Sequence, residues 1–538
     1  MRSSLPRSRV PFDRTEGLPH TLSAPTHGCG KATPSSPALA AVARLTAELT
    51  HRGVEFCSWK SNAHLDAALA GETDLDLLVE REHASAFRAV LANHDIKPLG
   101  HPPGPAAPGV EHYLGLDASS GRLFHLHVHY QLVLGQKHVK NYRLPIERAI
   151  LAATEVRAGM PVPAPEHELA ILATRVLVKY RLRDVVKDVL HIRTPGIAPD
   201  FRAEIDWLLR RTTPARAVEV AEELGALPTA VFAEFLEVVS SSQRAAYKTW
   251  KLRRRTRRAV RPFARYGSLR AAQLYASGEL RRRTRLRRRP PDLRMKPASG
   301  AVTVAFVGAD GAGKSTATQA VARWLGWKVA TRTHYLGSKP PSRRSRGLYI
   351  MFRALRRSHR TALARGAPST VAARPLALAR DVALAAHHLS IGGDRARRYA
   401  RACRDAADGC VVLYDRFPLS ASSENPNHLL LDGPQIAVTT SRANGPSRPV
   451  RALARAEERL YRRFRPPDQL VFLHVDPDIA SVRKPDHEPE VIAAKCRAVR
   501  ELEQLAKSRG DSAVSALDAN RPLAEVLVDL KKEVWRVL

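Results

Sequence analysis

Apolar positions in this chain fall into short runs and helical repeats separated by polar stretches. Val302, Val304, Phe306 and Val307 form a run that predicts a buried parallel strand. Val321 and Leu325 follow at helical spacing, so strand, glycine-rich turn and helix succeed one another over 302–325. Two further runs, GCVVLYDRFPLS and DQLVFLHVD, predict strands, and the helix-like DIASVRKPDHEPEVIAAKCRAV follows the second. Strands alternating with helices predict an α/β fold for 301–538, a parallel sheet with helices on both faces. Upstream, ALAAVARLTAELTHRG predicts a helix, VEFCSW and LDLLV predict strands, and RLFHLHVHYQLVLG predicts another. A helical stretch, HELAILATRVLVKYRLRDVVKDVL, completes an α+β region over 39–240.

Composition refines that picture. At 538 residues the chain has room for two or more cores, and its 44% hydrophobic content is ordinary for a globular protein. No apolar run reaches the roughly 20 residues of a membrane helix, and the amino terminus lacks the apolar segment of a secretory signal. Residues 1–38, rich in Ser, Pro and Thr, read as a disordered tail. Five cysteines, including Cys29, show no paired spacing, which points to a cytoplasmic protein without structural zinc.

The formal charge of +35 is unevenly spread. Residues 241–300 hold 20 Lys and Arg against two acids, half of the excess in sixty positions. A solvated linker explains that segment first. An anionic membrane surface, approached peripherally from the cytoplasmic side, ranks second, and nucleic acid third because no nucleic-acid fold accompanies it. A homodimer is compatible with this organisation.

The chemistry starts at the turn. Gly308, Gly313, Lys314 and Ser315 meet the pattern G-x-x-x-x-G-K-[S/T] between strand and helix. Glycines let successive amides point at phosphate oxygens beside the positive helix end. Lys314 would reach the β- and γ-phosphates of ATP, and the Ser315 hydroxyl would hold Mg²⁺. Asp415 and Arg416 end the GCVVLYDRFPLS strand, where a carboxylate can join the Mg²⁺ shell and an arginine can clamp a phosphate. Arg483 and Lys484 suggest a lid.

Together, GADGAGKST at 308–316, YDRF at 414–417 and VFLHVDPDIASVRK resemble the thymidylate kinase family. The resemblance implies a loop of Gly308, Asp310, Gly311, Gly313, Lys314, Ser315 and Thr316, with Asp310 on the acceptor's sugar hydroxyl. It also implies Arg416 and Arg395 on the acceptor phosphate and Arg483 on the transferred group. The activity it implies is phosphoryl transfer from ATP to a nucleoside monophosphate, dTMP foremost. Two departures bear on the acceptor: a long basic insertion before Asp394, and LLLDGPQI after YDRF, where Asp432-Gly433-Pro434 reads as a turn. A sugar or lipid-linked glycan acceptor, or a nucleotide-binding scaffold of low turnover, therefore stands as an alternative.

In the amino-terminal region Asp74 and Asp76 lie two apart on a strand and share a face, as carboxylates that hold Mg²⁺ do. WKSN followed by GETDLDLLV resembles the nucleotidyltransferase fold. That fold's third carboxylate has no evident counterpart, and His127 falls about where it is sought. His125, His127 and His129 alternate onto one face, which suits either metal ligation or a polar sheet surface. Arg175, Lys179 and Arg183, spaced by four on a helix, suit phosphate or a solvated face equally.

Overall fold

A computed structural model describes residues 37–101, 107–136, 138–180, 199–225, 228–240, 246–283, 294–364, 373–419, 432–436, 447–510 and 512–538. The tail expectation for 1–36, Cys29, Arg183 and Ser420 lie outside these residues.

The carboxyl-terminal sheet comprises β10 (Thr303–Gly308), β11 (Thr331–Tyr335), β12 (Val411–Asp415), β13 (Gln469–His474) and β14 (Ala513–Asp518). Every neighbouring pair is parallel, in the order β11-β12-β10-β13-β14. Apolar side chains of β10, β12 and β13 are buried almost without exception, as a sheet covered by helices requires. Helices Lys314–Leu325, Ala373–Ala407, Pro489–Arg509 and Leu523–Arg536 cover it. The register sets Phe306 beside Asp415, which carries that carboxylate to the edge of the loop leaving β10.

The single helix expected over DIASVRKPDHEPEVIAAKCRAV is two, Pro477–Arg483 and Pro489–Arg509. Pro485 has no amide hydrogen and disfavours helix at Lys484, so the first helix stops there and the second starts with Pro489 at its first position.

The amino-terminal sheet is mixed. Its strands are β1 (Phe56–Ser58), β2 (Asp74–Val79), β3 (Lys97–Leu99), β4 (Val110–Asp117) and β5 (Arg122–His129), in the order β1-β2-β5-β4-β3. Only β2 and β5 run parallel. The run expected as one strand after Arg122 divides into β5 and β6 (Leu132–Leu134), and β6 pairs with β7 (Tyr142–Leu144). A second hairpin joins β8 (Thr154–Arg157) to β9 (Met160–Pro163). Helices Pro165–Lys179, Pro199–Leu209, Pro214–Glu223 and Thr229–Ser240 gather around Phe232 and Phe235.

Part of the segment read as a solvated linker is docked helix. In Ala246–Ala259, Leu252 and Thr256 are fully buried, as is Val260 just beyond. That stripe, repeating every four residues, hides among arginines. Two of these close the end of helix Pro165–Lys179, with Arg253 Nε donating to the Tyr180 carbonyl at 2.6 Å and Arg257 Nη2 to that of Val178 at 3.2 Å.

The two sheets touch. The Gly100 amide donates to the Lys296 carbonyl at 2.8 Å, Trp535 Nε1 donates to the Asp95 carbonyl at 3.2 Å, and Leu99, Leu114 and Leu123 share a core with β10.

Candidate active site

The loop after β10 is built by close approach. A Cβ at Gly308 would lie 2.8 Å from the Leu473 carbonyl oxygen, and one at Gly311 2.8 Å from that of Ala480, with Gly311 also at φ +86°. Lys314 opens the following helix and folds back, donating to the carbonyls of Gly308 at 2.9 Å and Ala309 at 2.7 Å. Burial, then the Arg416 charge, pushes its ammonium down to about 8.

Ser315 Oγ donates to Asp415 Oδ2 at 2.7 Å. The other oxygen, Asp415 Oδ1, is buried and has no hydrogen-bond partner among the described residues. A hydroxyl and a carboxylate with one unused oxygen form a hard-oxygen donor set that fits Mg²⁺.

Behind the loop runs a chain of alternating charges. Lys495 pairs with Asp310, and Asp310 Oδ1 accepts from Arg416 Nη2 at 2.8 Å. Arg416 Nη1 reaches Asp432 Oδ2 at 3.3 Å, and Arg395 Nη2 reaches Asp432 Oδ1 at 2.8 Å. Arg395 also donates to Tyr461 Oη at 2.6 Å and to the Leu336 carbonyl at 3.0 Å. Burial acts to raise the Asp310 pKa, but Lys495 and Arg416 outweigh it and hold the carboxylate well below its usual range. Arg416 itself sits at φ +68°, a left-handed conformation that costs a non-glycine residue on the order of 1 kcal/mol.

Arg483 Nη1 donates to the Ala519 carbonyl at 3.1 Å and lies 3.4 Å from the Gly311 carbonyl, over the loop. A cleft of about 550 Å³ opens there, lined by residues 310–317 with Arg416, Arg483, Lys484 and Arg521. Leu523, Val526 and Leu527 give it an apolar wall. The structure thus brings Asp310, Gly311, Gly313, Lys314, Ser315, Thr316, Arg416 and Arg483 to one cleft, with Asp415 bonded to its wall and Arg395 one ion pair further back. Sequence reasoning missed Asp432, Lys495, Tyr461, Arg521 and the apolar wall. Asp432 carried a signal, the departure LLLDGPQI; the wall residues repeat as any core-facing helix does.

The amino-terminal acids meet different partners. The parallel register of β2 and β5 sets Asp74 beside His125 and Asp76 beside His127. His125 Nδ1 lies 2.9 Å from Asp74 Oδ1 and His127 Nδ1 lies 2.7 Å from Asp76 Oδ1. Lys328, from the turn before β11, pairs with Asp74, and Lys60 Nζ lies 2.6 Å from Asp76 Oδ1. Asp76, His127 and His129 bring one ligand atom each within 4.8 Å of one another. Burial lowers the pKa of His127 and, more strongly, of His129, so both imidazoles are neutral near pH 7. The Asp76 oxygen that an ion would use, however, faces an ammonium.

No family model matches the chain. It is 28% identical over 235 residues to the uncharacterized ATP-binding protein YghR of Escherichia coli strain K12, spanning 43% of this chain and 86% of that protein. Identity to YghS of the same strain is 27% over 237 residues, 42% of this chain and 88% of that protein. A solved deoxyadenosine kinase from M. mycoides aligns over 44% of this chain and 100% of its own, at 12% identity and a TM-score of 0.28.

Proposed function

We propose that the chain is an ATP-dependent phosphotransferase whose acceptor is a nucleoside monophosphate, dTMP foremost. The observation that carries this reading is the Ser315–Asp415 hydrogen bond at 2.7 Å, which sets an Mg²⁺ donor pair beside a lysine-bearing phosphate loop. Relatives named as ATP-binding proteins support the donor. ATP would lie in the 550 Å³ cleft with its base against Leu523, Val526 and Leu527. Lys314 would leave its two carbonyls for the β- and γ-phosphates. Ser315 and Asp415 would hold Mg²⁺, whose chemistry is to neutralise those phosphate oxygens. Arg416 and Arg395 would turn from Asp432 to the acceptor phosphate, whose oxygen takes the γ-phosphoryl group as ADP leaves. Arg483 would neutralise charge on the group in flight.

A second reading is favoured by Asp432. Its carboxylate already satisfies both arginines, which suits an uncharged, hydroxyl-bearing acceptor such as a sugar. The hydroxyl oxygen would then attack the γ-phosphorus, its proton passing to Asp432 while the bond to the β-phosphate oxygen breaks. Coupled ADP release with Mg·ATP, measured over nucleoside monophosphates and sugars, separates the two readings. Stimulation by dTMP, lost in Lys314→Ala, supports the first; flat rates across all monophosphates reject it.

A further inference from the structure

Among the described residues, the region where helix Pro165–Lys179 meets Trp59 and Lys60 holds more positive charge than its carboxylates balance. Arg175, only 6% exposed, has Nη1 without a hydrogen-bond partner among the described residues, among which the nearest carboxylate, Glu204, stands 3.9 Å away. The Trp59 ring is near two cations, 4.8 Å from Lys60 Nζ and 5.6 Å from the Arg175 guanidinium carbon. The Trp59 indole Nε1 is likewise buried and without an acceptor. Lys179 follows Arg175 by one turn on the same helix, its Nζ 5.6 Å from the Phe201 ring. Lys140, at φ +48°, feels the charges of Lys60 and Arg175 and acts in turn on Lys179. Neither Lys140 nor Lys179 makes an ion pair among the described residues.

We propose that Lys60, Lys140, Arg175 and Lys179, with Trp59, form an anion pocket that takes a phosphate-bearing ligand without a divalent ion. Cations held in a partly dry site without counter-charges are costly, so a fold that retains Lys140 and Lys179 beside the paired Lys60 and Arg175 is matched to an anion. Among the described residues Asp76 and Glu204 offset two of the four charges, and Glu168, pushed up to about 7 first by burial, adds about half a charge at pH 7. The excess of between one and two among the described residues suits the dianion of a phosphate monoester or a pyrophosphate. Burial first and then the neighbouring cations lower Lys140 to about 8 and Lys179 to about 7, with Asp76 only partly opposing the shift. Lys60 and Lys328 take the oxygens of Asp76 and Asp74 that an ion would need, and the surrounding charge repels a dication. The pocket is separate from the phosphate loop and stands whether or not the proposed phosphotransfer does.

Titration calorimetry of the untagged full chain carrying Lys314→Ala, in EDTA, with pyrophosphate, ATP and a sugar 1-phosphate as probes, tests this. One site per chain is expected for at least one probe, weakened tenfold or more by Arg175→Gln and by Lys179→Met. Thermal melting adds a second measurement. Lys179→Met should melt higher than its parent without ligand, because a repelled charge is gone, yet lose the rise that the probe produces. Absence of binding in EDTA, binding that returns only with Mg²⁺, or affinity indifferent to both substitutions overturns the proposal. Preference among the probes distinguishes a nucleotide tail from a phosphorylated sugar.

Discussion

The Ser315 hydroxyl donates a 2.7 Å hydrogen bond to the Asp415 carboxylate, joining the loop after β10 to the end of β12. Parallel pairing of Phe306 with Asp415 makes that bond a consequence of sheet register rather than of loop chance. Asp415→Asn keeps the shape and removes the charge that an ion needs. It is expected to lower kcat/KM by about 10²–10³ and to raise the Mg²⁺ concentration for half-maximal rate. An unchanged Mg²⁺ titration in steady-state assays would remove Asp415 from the proposed ion site.

Lys314 gives a pH dependence of defined sign. Burial, then Arg416, lowers its pKa to about 8, so the free protein loses this ammonium as pH rises through about 8. Polyphosphate oxygens favour the ammonium, so the complex keeps its proton to higher pH. Between those two values binding takes up a proton, and ATP affinity falls by up to about tenfold per pH unit. Calorimetry at pH 7, 8 and 9 in buffers of different ionisation enthalpy reads both the affinity and the proton. A dissociation constant that stays level through pH 9 counts against the assignment.

How far the sequence reached depends on the range of each interaction. Gly308, Gly313, Lys314 and Ser315 were legible because their geometry is local, a strand, a turn and a helix within 24 residues. His125 and His127 facing Asp74 and Asp76 were legible in part, because period-two alternation fixes the face while only tertiary pairing fixes the neighbour. Asp432 was read as a turn residue. Its two arginines arrive from helix Ala373–Ala407 and from the end of β12, and no local pattern reports that meeting. The stripe of Leu252, Thr256 and Val260 was masked by the arginines around it, so net charge spoke louder than periodicity. Lys328 was silent for a similar reason: a lone lysine after a helix carries no sign of a carboxylate 254 residues away.

Asp432 separates the two acceptor classes. As a competitor of an acceptor phosphate, it must be displaced from Arg395 and Arg416, and Asp432→Asn should then lower KM for dTMP about tenfold with kcat little changed. As the base for a hydroxyl, its loss should instead lower kcat by about 10²–10⁴. The monophosphate reading predicts the first pattern. A collapse of kcat at constant KM with a sugar acceptor would replace it with the second.

Lys328 and Asp74 tie the turn before β11 to β2, joining the two sheets by charge where Trp535 and Lys296 join them by hydrogen bonds. Burial tends to raise the Asp74 pKa, but His125 and Lys328 prevail and hold it well below the usual carboxylate range. A carboxylate so depressed contributes stability that is present above its unfolded value near 4 and lost as pH falls through the folded value. Lys328→Met should therefore cost about 0.5–1 kcal/mol at pH 7, because the Asp74 side chain is 38% exposed and water screens the charge left with His125 alone. Asp74→Asn should cost similarly, and the double substitution less than the sum, since neither partner is then left charged. Urea unfolding of the four proteins at pH 7 and at pH 3 measures the coupling. An additive cycle at pH 7, or a coupling that fails to shrink in acid, would show that this pair does not hold the sheets together.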